Sequence, residues 1–189
     1  MIIEINEEEI KSMDMSYAKE LAFKGHVNFD AKPGYSEYKL YAWISNQFQN
    51  TTILDVGTRF GNSALSLSNN PSNKVVSYNI VEEGASNISK ENITWKIMDF
   101  RKDPDLNLDG VELIMIDVDP HDGKQEPEML SWLKEQGWSG KILFDDIHHS
   151  GTKEFWKNLD EEKQDLTSVG HMTGTGIIDF NKKWLDLIT

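Results

Sequence analysis

The chain has 189 residues, no cysteine and a formal charge of −13, from 32 acidic against 19 basic residues. Its length suits one domain with a buried core, and the missing thiols exclude disulfides and thiolate chemistry and fit a reducing cytoplasm. The acidic balance repels nucleic-acid phosphates with no basic cluster to offset it, so no nucleic-acid partner is expected, and no stretch nears the ~18 apolar residues of a membrane span. The acidic N-terminus also lacks the basic start and apolar core of a signal peptide.

Residues 7–22 place Ile10, Met13, Met15, Tyr17, Ala18, Leu21 and Ala22 at helical spacing, with Glu8, Glu9, Lys11 and Lys19 as polar faces. They predict a helix. Pro33-Gly34 signals a turn. Ser36 reads as the N-cap of a second helix over 37–49, whose apolar face is Tyr38, Tyr41, Ala42, Trp43, Ile44 and Phe48. Residues 1–50 are therefore expected to be a helical arm packed on the core.

From residue 51 strands and helices alternate. Strands are predicted over 52–56, 74–80, 93–98, 111–116 and 141–144. A helix over 62–68 ends at Asn69-Asn70-Pro71, and 84–90 is a short helical or irregular link. Helices over 127–136 and 152–159 turn Met129, Leu130, Trp132 and Leu133, and Phe155, Trp156 and Leu159, inward. Two final strands, 166–169 and 176–180, flank a glycine-rich turn. Residues 51–189 thus read as a doubly wound, mostly parallel α/β domain with a seven-stranded Rossmann-like sheet in three α/β/α layers. The last two strands lie too close together for a crossover helix and must form an antiparallel hairpin. Trp132, Trp156 and Trp184 fit helix faces, so the tryptophans define no interface and leave the oligomeric state open.

In such sheets ligands bind beyond the carboxyl ends of the strands. After the first strand stand Asp55, Gly57, Thr58, Gly61 and Ser63. The spacing Gly-x-x-x-Gly is not the Gly-x-Gly-x-x-Gly of pyrophosphate loops, and a plain strand-to-helix turn would also account for it. After the second strand Asn79 or Glu82 could take a ribose diol, although Glu82 and Glu83 read equally as a solvated loop. After the third, Asp99 and Phe100 suit an adenine amine and ring face, or a turn cap. Asp117-Val118-Asp119-Pro120-His121 follows the fourth strand, and Asp145-Asp146-Ile147-His148-His149 the fifth. Carboxylates converging there repel one another unless protons or a cation compensate. Oxygen donors favour Mg²⁺, Ca²⁺ or Mn²⁺, and His121, His148 and His149 supply groups that exchange protons near neutral pH.

The run Asp55-Val56-Gly57-Thr58-Arg59-Phe60-Gly61-Asn62-Ser63 resembles the methionine-cradling loop of the class I S-adenosylmethionine-dependent methyltransferases. The resemblance extends over residues 51–181, including the terminal hairpin. Leu113-Ile114-Met115-Ile116-Asp117-Val118-Asp119 and Ile142-Leu143-Phe144-Asp145-Asp146 resemble the small-molecule and sugar O-methyltransferase branch. The resemblance implies a methyltransferase with S-adenosylmethionine held by Asp55, Gly57, Thr58, Gly61, Ser63, Asn79, Glu82, Asp99, Phe100 and Asp117. It implies Asp117, Asp145 and Asp146 as ligands of Mg²⁺, which would bind a sugar or catechol-like acceptor and lower its hydroxyl pKa. Asp117, His121 and His148 are the catalytic residues it points to. The chain departs from the branch at Pro120, where many members carry lysine, and at Asn79, where an acid is usual. Tyr35, Glu37 and Tyr38 would have to cover the pocket, though helix packing alone explains such aromatics. A non-catalytic cofactor-binding module, a metal-dependent hydrolase and a nicotinamide oxidoreductase stand as alternatives, the last disfavoured by the glycine spacing.

Overall fold

The computed structural model describes residues 1–22, 29 and 34–180. The turn at Pro33, the side chain of Tyr35 and the helix face of Trp184 lie outside the described residues. The aliphatic run Thr52–Val56 forms β1. It pairs in parallel with β2 (Lys74–Asn79) on one side and with β4 (Val111–Ile116) on the other. Outside β2 lies β3 (Ile93–Ile97), and outside β4 lies β5 (Gly140–Phe144). The last strand, β7 (Gly176–Phe180), runs antiparallel between β5 and β6 (Glu162–Asp165). The seven strands are thus ordered β3-β2-β1-β4-β5-β7-β6, a mostly parallel sheet that ends in the predicted antiparallel hairpin. Strand order reverses between β1 and β4, which opens a crevice at their carboxyl ends.

Side chains alternate across the sheet with a period of two. Ile53, Leu113, Leu143 and Ile177 face one apolar layer with Ile10, Ala18, Leu40, Ile44 and Leu65. Leu54, Ile114, Ile116, Ile142, Phe144 and Ile178 face the other, with Met129, Leu133 and Trp156. The first layer holds α1 (Glu7–Ser12), α2 (Ser16–Leu21), α3 (Gly34–Ser45) and α4 (Asn62–Leu67). The second holds α5 (Gln125–Glu135) and α6 (Lys153–Asn158). Among the described residues no helix is long and apolar enough to cross a membrane.

Three elements differ from their predicted form. The second helix, α3, runs Gly34–Ser45 rather than 37–49, so Ser36 lies within its first turn and is not its N-cap. The helix over 7–22 is split, because the Asp14 carboxylate accepts the Ser16 N–H at 2.9 Å and the Ser16 hydroxyl at 3.0 Å. Such a local bond offers the backbone an alternative to the helical ladder. The sixth strand is Glu162–Asp165 rather than 166–169. It is an edge strand of polar residues, so no apolar alternation marks it; Leu166 and Val169 are buried in the turn that follows.

That edge is closed by a side chain. Gln164 Oε1 accepts the N–H groups of Ile2 and Ile3 at 2.9 and 3.1 Å, and its Nε2 donates to Ile3 O at 3.0 Å. The amide thereby pairs with the N-terminal segment as a neighbouring strand would. Gln164→Ala is expected to cost about 1 kcal/mol, the net worth of such bonds, read as a lower urea midpoint with an unchanged slope.

Candidate functional site

A cavity of about 600 Å³ opens at the carboxyl ends of the parallel strands, a size within the usual range for small-molecule sites. One wall is the β1–α4 turn. Gly57 and Gly61 adopt φ of 98° and 89°, and Arg59 between them 49°. A side chain at Gly57 would lie 1.6 Å from the Asp117 carbonyl oxygen, so the close approach this glycine permits is to the end of β4. At Gly61 it would meet Ile88 and Trp95 at 2.9 and 3.0 Å. Thr58 and Ser63 line the cavity, whereas Asp55 is buried beneath the turn and accepts the Ser77 hydroxyl at 2.8 Å. Burial raises the Asp55 carboxyl, and the Ser77, Ser63 and Thr58 hydroxyls oppose the rise. Asp55 and Gly61 thus shape the turn from behind.

The second wall follows β2 and β3. Asn79 borders the cavity and donates from Nδ2 to Val81 O at 2.8 Å. Glu82 is exposed, accepts the Gly84 N–H at 2.6 Å and lies outside the lining. Its neighbour Glu83 is the residue that borders the cavity, 3.6 Å from the Arg59 guanidinium. Asp99 and Phe100 both line the cavity. The Asp99 carboxylate is gripped by Arg101, with Nε on Oδ1 at 3.0 Å and Nη2 on Oδ2 at 2.9 Å, and these bonds hold it below the usual carboxylate range. Phe100 packs edge-on against Trp132, with ring centroids 5.3 Å apart.

The far end is a dense group of acids and histidines. Asp117 ends β4, while Asp145 and Asp146 follow β5. Single donor atoms of Asp117, His121 and Asp146 lie within 4.8 Å of one another, and so do those of Glu37, Asp145 and His171. The three aspartates expected to share a cation are therefore divided between two adjoining groups. His121 Nδ1 stands 3.4 Å from Asp146 Oδ2 and 3.9 Å from Asp117 Oδ1. His148 points away from this group: its Nε2 pairs with Asp165 at 2.8 Å, and it does not line the cavity. His149 ring-stacks edge-on with His121 at 5.7 Å.

One member, His171, had no signal in the sequence, and another, Glu37, was expected only as part of the arm over the pocket. His171 sits in the β6–β7 connection, 3.5 Å from Asp145 Oδ1 and 3.3 Å from Asp146 Oδ1. Glu37 lies in the first turn of α3 and reaches the same acids from the opposite side. The backbone is strained around them. Arg59, His121 and Asp146 have φ of 49°, 52° and 57°, and all three line the cavity. Such conformations persist where the surrounding structure enforces them, and they concentrate at functional sites.

Crowding sets the protonation. Burial first, then the charges of Asp146, Asp55 and Asp119, push Asp117 up to about 7; solvent in the cavity reaches one side of it. Burial and the charges of Glu37, Asp117 and Asp146 raise Asp145. Asp146 is the exception: burial would raise it, but hydrogen bonds from His171 and Thr173 outweigh that and leave it below its ordinary value. His171 is raised, because the bond to Asp146 and the charges of Glu37 and Asp117 outweigh burial.

Glu37 is pushed up to about 8 by burial, with His171 opposing and Asp117 adding to the rise. An acid whose folded pKa lies above its unfolded value favours folding at low pH, and that contribution is lost as pH rises through the folded pKa. In a chelator, Glu37→Gln is therefore expected to match the parent chain near pH 4 and to gain on it as pH rises toward 8. The gain above pH 8 should be on the order of 5 kcal/mol, read from urea midpoints across that range; a gain that shrinks with pH would contradict the assignment.

No family model matches this sequence, and no curated protein does. Solved structures do match. The cofactor-bound Rv0187 from MTB aligns with TM-score 0.63 at 15% identity over 89% of this chain and 90% of its own. A candidate O-methyltransferase from Klebsiella pneumoniae aligns with TM-score 0.57 at 14% identity, covering 76% and 79% of the two chains. The S-adenosylhomocysteine-bound Podospora anserina methyltransferase PaMTH1 aligns with TM-score 0.55 at 14% identity over 76% and 77%. The fold of this chain is that of the class I methyltransferases.

Proposed function

We propose that the chain is an S-adenosylmethionine-dependent methyltransferase that methylates a hydroxyl of a small sugar or catechol-like acceptor with help from a divalent cation, Mg²⁺ by resemblance. The observation that carries this reading is one continuous cavity running from the β1–α4 turn to the acid group. Gly57, Thr58 and Ser63 would cradle the methionine end. Asn79, with Glu83 in the place foreseen for Glu82, would meet the ribose. Asp99, Arg101 and Met98 would border the adenine.

The donor set fits a cation. Asp117 and Asp146 offer carboxylate oxygens to a common point, and Asp145 Oδ1 is buried without a hydrogen bond. Asp117 and Asp146 would hold the ion, which supplies a Lewis acid that lowers the pKa of an acceptor hydroxyl. His121, whose Nδ1 stands 3.4 Å from Asp146 and 3.9 Å from Asp117, would take the hydroxyl proton. Bound S-adenosylmethionine would supply an electrophilic methyl group, taken by the acceptor oxygen while the carbon–sulfur electron pair stays on the sulfur of the thioether product. Holding the two reactants in line supplies much of the acceleration. The exposed His148, turned toward Asp165, has no part in this arrangement.

Calorimetric titration with S-adenosylhomocysteine tests the reading directly. Binding with a micromolar dissociation constant is expected, and a flat titration at millimolar ligand overturns it. The same titration with NADH should stay flat.

A further inference from the structure

Asp99 and Arg101 flank Phe100 where the chain leaves β3. Both line the cavity, with side chains 15% and 23% exposed, while the Phe100 ring between them is buried against Tyr78 and Trp132. We propose, resting on the reading that this cavity takes S-adenosylmethionine, that Arg101 is a specificity-determining residue: the edge it shares with Asp99 reads adenine by accepting from the 6-amino group and donating to the ring nitrogen beside it.

Three observations carry it. The first is the geometry of the grip. Arg101 Nε donates to Asp99 Oδ1 at 3.0 Å and Nη2 donates to Oδ2 at 2.9 Å, a parallel two-bond fork that holds both groups near one plane. The second is what the grip leaves over. Asp99 Oδ1 also accepts the Arg101 backbone N–H at 3.0 Å, which occupies both of its lone pairs. Oδ2 keeps one lone pair, and Nη2 keeps one of its two N–H groups. In such a fork these lie side by side along one edge, an acceptor next to a donor. The third is support from another element. Glu128 Oε2, on α5, stands 3.7 Å from Nη1, the nitrogen that Asp99 does not bond. The guanidinium is therefore held from two sides before a ligand arrives, so binding has little ordering left to do.

Adenine presents the complementary edge, because its 6-amino group donates while N1 on one side and N7 on the other accept. Asp99 alone would read only the amine. With Arg101 beside it the pair also demands a ring acceptor, through a charge-assisted bond.

The experiment is calorimetric titration of the full chain with S-adenosylhomocysteine and with its 1-deaza and 7-deaza analogues, in which carbon replaces N1 or N7. One of the two analogues is expected to bind the parent chain at least about ten-fold more weakly than S-adenosylhomocysteine. That penalty should vanish in Arg101→Met, which keeps the stem and loses the donors; Arg101→Ala serves if the methionine variant does not fold. A residue that merely propped up the turn would weaken all three ligands alike and leave their ratio unchanged. Arg101 has no such role if the parent chain binds both analogues as tightly as S-adenosylhomocysteine, or if the penalty persists in the variants. Either result leaves the proposed function standing, whereas a flat titration with S-adenosylhomocysteine itself removes both.

Discussion

Replacing Gly57 with alanine is expected to destabilise the chain by roughly 3–5 kcal/mol and to abolish S-adenosylhomocysteine binding. The new methyl group would start 1.6 Å from the Asp117 carbonyl oxygen and 2.6 Å from its carbon, and both are backbone atoms. They cannot swing aside as a side chain tip could. Asp117 N donates to Val56 O at 2.9 Å and Gly57 N to Tyr78 O at 2.9 Å, so relief requires prising apart the ends of β1, β2 and β4 together. The φ of 98° adds the cost of a left-handed conformation for a residue with a Cβ. Gly110→Ala separates the two effects. It has φ of 76° but nothing within 4 Å of the added atom, so it should cost only about 1–2 kcal/mol. Urea unfolding of both variants checks the difference, and equal costs would mean that the contact at Asp117 yields easily.

Replacing Asp146 with asparagine is expected to lower turnover on the order of 10²–10³-fold, about 3–4 kcal/mol of barrier, while S-adenosylhomocysteine affinity stays within a few-fold. Asp146 is where the interactions of the acid group meet: His121, His171 and Thr173 all contact its carboxylate. It is also the acid held below its ordinary pKa, and so the one carrying full charge to offer a cation. Asparagine keeps the shape and tolerates the φ of 57°, which alanine would not, so the charge is what changes. The measurement is transfer of labelled methyl from S-adenosylmethionine to 3,4-dihydroxybenzoate with added Mg²⁺ or Mn²⁺. Unchanged turnover with retained metal dependence would remove Asp146 from the proposed mechanism.

The parts of the site that sequence alone exposed are those in which chemistry and local pattern coincide. Asp55 to Ser63 joins a β-branched run to a helix start. Asp117 and Asp145-Asp146 end strands whose apolar cores are unmistakable, so their position at the crevice followed from topology. His171 carries no such mark, and Glu37 stands out only as part of the arm that would cover the pocket. Glu37 looks like any acid in the first turn of a helix, and His171 sits in a connection with no periodicity. Only the packing of α3 against the sheet and the return of the chain to β7 bring them to Asp145. His148 shows the converse: it is two residues from Asp146 in sequence, but its N–H bonds Thr173 O at 2.8 Å and the turn aims its ring at Asp165. Proximity along the chain says nothing about direction once the strand has ended.

The two borders of the sheet are finished differently. At β6 the outer row is charged and polar, and the amide of Gln164 is already satisfied by the segment at Ile2 and Ile3. That border offers little to an approaching chain. At β3 the outermost strand carries Ile97, 45% exposed, with the Lys96 charge drawn toward Asp103 at 3.1 Å. Open hydrogen-bonding borders are where chains join into larger sheets, and charge is the usual guard against it. Colloidal behaviour of the concentrated protein therefore rests on β3, where a single outward-facing charge would do more for solubility than any change near Gln164.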